Sequence, residues 1–296
     1  MANLQEFGGD WTQEKLFRVR SYLSAYTQAL KNKNFNLVYI DAFAGTGYRN
    51  LKIDETSTDL LFPDQAGHDA EALHAGSARI ALEMEPPFSW YYFIEQDKEK
   101  CGELERLRTE FPDKARQIRI INDDANATLQ KISLVQWKQK NLRGVLFLDP
   151  FGMNVSWNTI EAVARTEAID MWYLFPLGVG VNRLLRKDGN IPEGWRRRLE
   201  NIFGNSDWEG LFYKKEVLPN LFGEEEIVSK TGDFKQITDY FVTRLQTIFP
   251  GVAGNPLQLM NSRSNPLYLL CFAASNKKGA PIALKIAEHI LRGRRP

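Results

Sequence analysis

The sequence predicts an α/β fold: a mostly parallel seven-stranded sheet, helices on both faces, and an antiparallel strand at one edge. Three observations lead there. Five short apolar, β-rich runs alternate with amphipathic stretches along residues 12–174. The first four of these runs end in acidic residues followed by turn-forming sequence. Two further β-rich runs, 256–261 and 266–273, are separated only by Ser262-Arg263-Ser264-Asn265, which reads as a tight turn and hence an antiparallel pair.

The elements follow in order. Residues 12–31 read as a helix, because Leu16, Val19, Leu23, Tyr26 and Leu30 recur at steps of three or four. Residues 37–42 form a short run suited to a strand buried on both faces. The stretch 48–75 has no period and carries Asp54, Glu55, Asp59, Asp64, Asp69 and Glu71, so it reads as an acidic insertion. Gly76-Ser77 opens a short helix through Met84. Strands are expected at 90–94, 117–121, 145–148 and 169–174, with helices at about 98–110, 125–139 and 157–166 between them. Residues 178–250 read as a mostly helical, charge-rich insertion before the last two strands, and a final helix spans about 279–292. No internal repeat is present, and residues 1–296 read as one domain.

Composition narrows the function classes. The 296 residues are 43% hydrophobic and 25% charged, as a globular chain requires. A net charge of +1 gives no global field for a polyanion, so any such contact must be local. Cys101 and Cys271, like His68, His74 and His289, are scattered, so no metal site is expected. The N-terminal stretch lacks the pattern of a signal peptide and no segment is apolar enough to span a membrane, which leads to an expectation of a cytoplasmic protein.

In an open parallel sheet, ligands bind beyond the carboxyl ends of the strands, where the strand order reverses. The first strand leads into Asp41-Ala42-Phe43-Ala44-Gly45-Thr46-Gly47, where glycines permit a tight turn and a close ligand approach. Asp41, Ala42, Phe43, Gly45 and Gly47 are therefore candidate cofactor-binding residues; a plain tight turn is the competing reading. Glu95 ends the second strand, where a carboxylate can accept both ribose hydroxyls of an adenosine ligand. Its competing role is a solvated acid at a helix start, for which Asp97 is better placed. Asp124 can accept from an adenine amino group, or one of Asp123 and Asp124 caps the following helix.

The fourth strand ends in Asp149-Pro150-Phe151-Gly152. Methyl transfer to an amino group needs an acceptor that holds the NH2 and takes charge as nitrogen becomes cationic. Asp149 and the Pro150 carbonyl can do this, and Phe151 can stack on a planar base. These three are the candidate catalytic residues; the alternative is a strand-ending turn with a buried Phe. Arg183, Arg186, Lys187, Arg196, Arg197 and Arg198, with Trp195 and Trp208, make a basic region that fits either a nucleic-acid surface or a solvated helix face. A dinucleotide oxidoreductase is disfavoured, since Asn50 stands where a third glycine is needed.

The order of a glycine turn, an acid on strand two, Asp on strand three and Asp-Pro-Phe-Gly on strand four resembles Rossmann-like class I S-adenosylmethionine-dependent methyltransferases over most of residues 15–174. A closer likeness is to the three-Cys-motif partner protein family of bacteria and phages. It is carried by Lys15-Leu16, Tyr22-Leu23, Tyr39 through Gly47, Gly76-Ser77-Ala78, Phe93-Ile94-Glu95, Phe147 through Gly152 and Tyr173-Leu174-Phe175-Pro176. The resemblance implies S-adenosylmethionine as cofactor and a partner with a three-cysteine motif of the radical S-adenosylmethionine type. It also implies that Lys15, Gly76 and Ser77 border the pocket. Asp149-Pro150-Phe151-Gly152 is similar to the motif of transfer-RNA guanine N2-dimethyltransferases; Phe151 and Gly152 depart from the Pro-aromatic form of the adenine enzymes.

Overall fold

The computed structural model describes residues 10–45, 76–220 and 223–293. Gly47 and the acidic 48–75 stretch lie outside the described residues. Helix α1 (Asp10–Leu30) leads to β1 (Asn36–Asp41), and a helix over 76–82, α2, precedes β2 (Trp90–Glu95). Helices α3 (Lys98–Leu104) and α4 (Arg106–Glu110) lead to β3 (Ile118–Asn122). Then come α5 (Ala125–Ser133), β4 (Leu142–Leu148), α6 (Trp157–Arg165) and β5 (Ile169–Phe175).

Strands β1 to β5 run parallel in the order β3-β2-β1-β4-β5. The order reverses between β1 and β4, the arrangement of a Rossmann-like sheet. A π-helical turn (Leu177–Val181) and short α7 (Asn182–Leu184) leave the end of β5, followed by α8 (Glu193–Phe203) and α9 (Trp208–Phe212). Strands β6 (Tyr213–Asn220) and β7 (Gly223–Lys230) form a separate antiparallel pair. After α10 (Phe234–Gln246), β8 (Gly251–Val252), β9 (Leu257–Met260) and β10 (Pro266–Ala274) complete the main sheet, and α11 (Ala280–Arg292) follows. Strand β10 runs antiparallel beside β5 and is flanked on its other side by β8 and β9. The main sheet thus has eight strands, one more than the seven expected, because the two-residue β8 is too short to leave a pattern in the sequence.

Successive residues of a strand point to opposite faces, and this alternation builds two cores. Val38, Ile40, Leu146, Leu148, Tyr173 and Phe175 pack with α5, α6, α8 and α10. Tyr39, Tyr91, Phe93, Phe147, Trp172 and Phe272 pack with α1, α2 and α11 on the other face. Central β1, β4 and β5 are buried on both faces over most of their length, which explains their unbroken apolar runs.

The 178–250 stretch is not helical throughout. Strands β6 and β7 interrupt it, and Lys214–Glu216 and the exposed Val217 and Ile227 lie along the pair. The charge-rich pattern mimicked a solvated helix, but Pro219 forbids helix continuation and the β-branched Val217, Ile227 and Val228 favour strands. Three of the six basic residues singled out in this stretch are ion-paired: Arg186 with Asp188, Arg196 with Glu209 and Arg197 with Glu193. That is the pattern of a solvated, ion-paired face. Among the described residues, no helix is long and apolar enough to cross a membrane.

Candidate functional site

The carboxyl ends of β1 and β4 meet at the reversal in strand order. Asp41 is the last residue of β1 and stands beside Phe147 of β4, so Asp149 lies two residues farther on. Both acids are buried, Asp41 completely and Asp149 to 4% exposure. Buried charge must find compensation, and here it comes from Lys15 on α1. Its ammonium donates to Asp149 Oδ2 at 2.7 Å from a fully buried position. The same Nζ lies 5.5 Å from the centre of the Trp11 ring and 5.7 Å from that of Phe147. Burial lowers the lysine's proton affinity, and the Asp149 charge and hydrogen bond oppose that effect.

Asp41 has a different set of partners. Ser77, in the first turn of the described part of α2, donates to its Oδ2 at 2.7 Å, and Tyr39 OH reaches the same oxygen at 3.5 Å. The Phe43 amide donates to Oδ1 at 3.3 Å, which folds the chain back after β1. Burial pushes the Asp41 carboxyl up to about 7; the Ser77 hydrogen bond and Lys15 pull it down, and the Asp149 charge adds to the rise. Lys15 and Ser77, implied by family likeness alone, are therefore part of the polar cluster. Tyr39 was missed, because a tyrosine in an apolar strand carries no sign that its hydroxyl meets an acid. Lys15 does leave a signal: Trp11, Lys15, Val19 and Tyr22 share one buried stripe of α1, and a lysine there needs a buried partner.

Across β2 the second half of the site forms. A Cβ on Gly45 would stand 2.6 Å from Glu95 Oε2 and 3.1 Å from Lys100 Cδ, so the bare glycine lets the turn close onto that carboxylate. Glu95 Oε1 accepts from the Asp97 amide at 2.8 Å, and Asp97 is the N-cap of α3, accepting from Glu99 and Lys100. Asp97 is therefore the helix cap, the role for which it was the better placed of the two acids. Lys100 reaches from Gly45 toward Phe151, with its Nζ 5.5 Å from the ring centre.

Asp124 caps α5, accepting from the Ala127 amide at 2.9 Å, while Asp123 pairs with Lys131. Asp124 lies at the exposed rim beyond β3, with one oxygen committed to the helix. Pro150 is buried, and Phe151 is 38% exposed just beyond the carboxyl end of β4. Ala42 is buried in the core under the turn and Phe43 is half-buried. Tyr173, Leu174 and Phe175 are fully core, with Phe175 stacked on Phe241 at 3.9 Å between ring centres. The structure thus gathers Asp41, Gly45, Glu95, Asp149 and Phe151 around one end of the sheet, leaving Asp124 at the rim.

No family model and no curated protein matches the chain. Among solved structures it is similar to spermidine synthase from Thermotoga maritima, at 10% identity over 90% of this chain and 60% of that one, with a TM-score of 0.38. It is also similar to magnesium protoporphyrin IX methyltransferase from Synechocystis PCC 6803, solved with bound SAM, at 10% identity over 73% and 79% of the two chains and a TM-score of 0.30. A third is TYW2 of M. jannaschii, solved with AdoMet, at 15% identity over 76% of each chain and a TM-score of 0.28. These likenesses are remote, and the fold assignment rests on strand order and register.

Proposed function

We propose that the chain is an S-adenosylmethionine-dependent methyltransferase acting on an amino group, in particular one on a nucleic-acid base. The observation that carries this reading is the meeting of two features at one end of the sheet. On one side Gly45 closes onto Glu95, and on the other Asp149-Pro150-Phe151 ends the strand next to β1. The donor set suits an adenosine ligand. A carboxylate beyond β2 can accept two ribose hydroxyls, and a glycine without Cβ admits a close approach to the backbone.

S-Adenosylmethionine, when bound, supplies an electrophilic methyl on a sulfonium. The chain's own residues would do the rest. Pro150 O and the Asp149 carboxylate accept from the target amino group and fix its lone pair. Phe151 offers a partly exposed ring for stacking on a planar base. Lys15 holds Asp149 in place.

Isothermal titration with S-adenosylmethionine tests the reading. The full chain is expected to bind it, and Gly45→Ala to weaken binding by about ten-fold or more through displacement of the Glu95 carboxylate. Thermal stability should hold in that variant, because the clash is with the far ends of Glu95 and Lys100 rather than with backbone. Absence of binding heat at millimolar ligand would sink the reading.

One observation favours a second reading, a methyltransferase-like partner of a three-Cys-motif protein that transfers no methyl group. Asp149 is almost fully buried and ion-paired, as a scaffold residue would be. That reading expects a complex on co-purification that survives Asp149→Asn, with no methyl transfer by the wild-type chain.

A further inference from the structure

Lys100 joins the two halves of the site. It lies in the first turn of α3 and is half-buried, with its Cδ 3.1 Å from where a Gly45 Cβ would stand and its ammonium 5.5 Å from the centre of the Phe151 ring. Among the described residues, that ammonium has neither a hydrogen bond nor an ion pair. The acids around it hold other contacts: Asp97 caps α3, Asp123 pairs with Lys131 and Asp124 caps α5. A cation in the first turn of a helix is disfavoured by the helix dipole, so helix stability does not explain a lysine at this position. Its contact with a partly exposed ring is a weak one, and a flexible four-carbon stem lets the charge move.

We propose, building on the methyltransferase reading, that Phe151 and Lys100 form a binding site for a base that carries a phosphate. The ring stacks on the base, and the ammonium leaves the ring to ion-pair with the phosphate of the same nucleotide. A phosphate is the stronger partner for it, since a charge-assisted hydrogen bond exceeds a cation–π contact at an exposed ring. The chain's net charge of +1 gives no global field for a polyanion, so recognition of phosphate here rests on single local contacts of this kind. The substrate is then a nucleotide, free or within a strand, in preference to a bare base or nucleoside.

Fluorescence anisotropy with a labelled single-stranded RNA of about 12 nucleotides, between about 50 and 200 mM salt, tests the site. Wild type should bind the strand, and nucleoside monophosphates should displace it better than the matching nucleosides. Lys100→Met should weaken strand binding by about five-fold, make the log–log salt dependence shallower by about 0.7, and remove the advantage of the monophosphates. Lys100→Arg keeps the charge and should preserve both properties. Phe151→Ala should weaken strand binding by about ten-fold with the salt slope unchanged, because stacking releases no counterions. A strand bound about ten-fold or more tighter than any monophosphate assigns the site to nucleic acid, and equal affinities assign it to a free nucleotide.

Circular dichroism checks that each variant is folded, and Lys100→Gln carries the comparison if Lys100→Met does not fold. A salt slope and a monophosphate preference unchanged in Lys100→Met overturn the inference, as does a wild-type chain that binds neither strand nor monophosphate. S-Adenosylmethionine titration of the wild type judges the cofactor reading separately. A Lys100→Met loss confined to that titration would assign the lysine to the cofactor and overturn the phosphate site alone.

Discussion

Asp170→Asn should make the protein more stable at pH 8 by about 2–4 kcal/mol while changing little near pH 4. Asp170 lies near the start of β5, at the end of the sheet opposite the candidate site, and is 8% exposed. Burial raises its carboxyl to about 7, with the Tyr22 hydrogen bond and Arg143 pulling the other way. Tyr22 OH donates to Oδ2 at 2.7 Å, and burial also keeps that phenol protonated, so the donor persists throughout the range.

The direction follows from proton linkage. The unfolded carboxyl titrates near 3.8, whereas the folded one holds its proton up to about 7. The folded state therefore binds more protons between those values. The associated stability is fully present below about 3.8 and is lost as pH rises through about 7. A difference of that size corresponds to roughly 4 kcal/mol at most. Asparagine keeps an oxygen for Tyr22 and never ionises, so the variant escapes the loss. Asp41 titrates near 7 for similar reasons and will leave part of the pH dependence in place. Urea denaturation at pH 4, 5.5, 7 and 8 reads the effect. Equal midpoints for variant and wild type at pH 8 would show that Asp170 is not a buried, ionising carboxyl.

The parallel part of the fold was legible because its physics is local. A strand covered on both faces must be apolar along its length, and it ends where the first acid or glycine can reach water. Val145 to Leu148 followed by Asp149 reads this way, as do Leu37 to Ile40 followed by Asp41. The β6–β7 pair was not legible, because its outer residues alternate charge and apolar groups at a density that also suits a helix face. Only Pro219, Gly223 and the β-branched Val217, Ile227 and Val228 argued for strands. For Asp124 the sequence left two roles open, and the cap interaction with Ala127 decides what one of its oxygens does. The Lys15–Asp149 pair spans 134 positions in sequence. Asp149 stood out in the sequence as an acid after a buried strand, whereas Lys15 entered only through the family resemblance. Their meeting depends on α1 packing on the sheet face that carries Phe147, Trp172 and Phe272, which no local pattern encodes.

The same dependence on long-range packing makes Gly178→Ala the most damaging glycine substitution expected, with a loss of about 3 kcal/mol. Gly178 sits in the π-helical turn that leaves β5. A Cβ there would stand 1.8 Å from Pro266 O and 2.9 Å from Pro266 C. The obstacle is backbone, and it is held from two sides: Pro266 pairs with Met260 of β9, and Leu269 three residues on pairs with Phe175 of β5. Neither wall can yield without breaking a ladder or reshaping the turn. The turn itself is anchored, since the Gly180 and Val181 amides both donate to Pro176 O. Gly194→Ala and Gly210→Ala are the controls, because nothing lies within 4 Å of a Cβ at either position and both sit in helices, where alanine is favoured. Denaturation midpoints should fall sharply for Gly178→Ala and stay level or rise for the two controls. A Gly178→Ala protein as stable as wild type would mean that the turn and β10 do not approach one another this closely. The contact joins the loop leaving β5 to the antiparallel strand beside it, so its loss should loosen that margin of the sheet first. Hydrogen exchange would then show early opening of the Leu269 to Cys271 amides, ahead of those in β1 and β4.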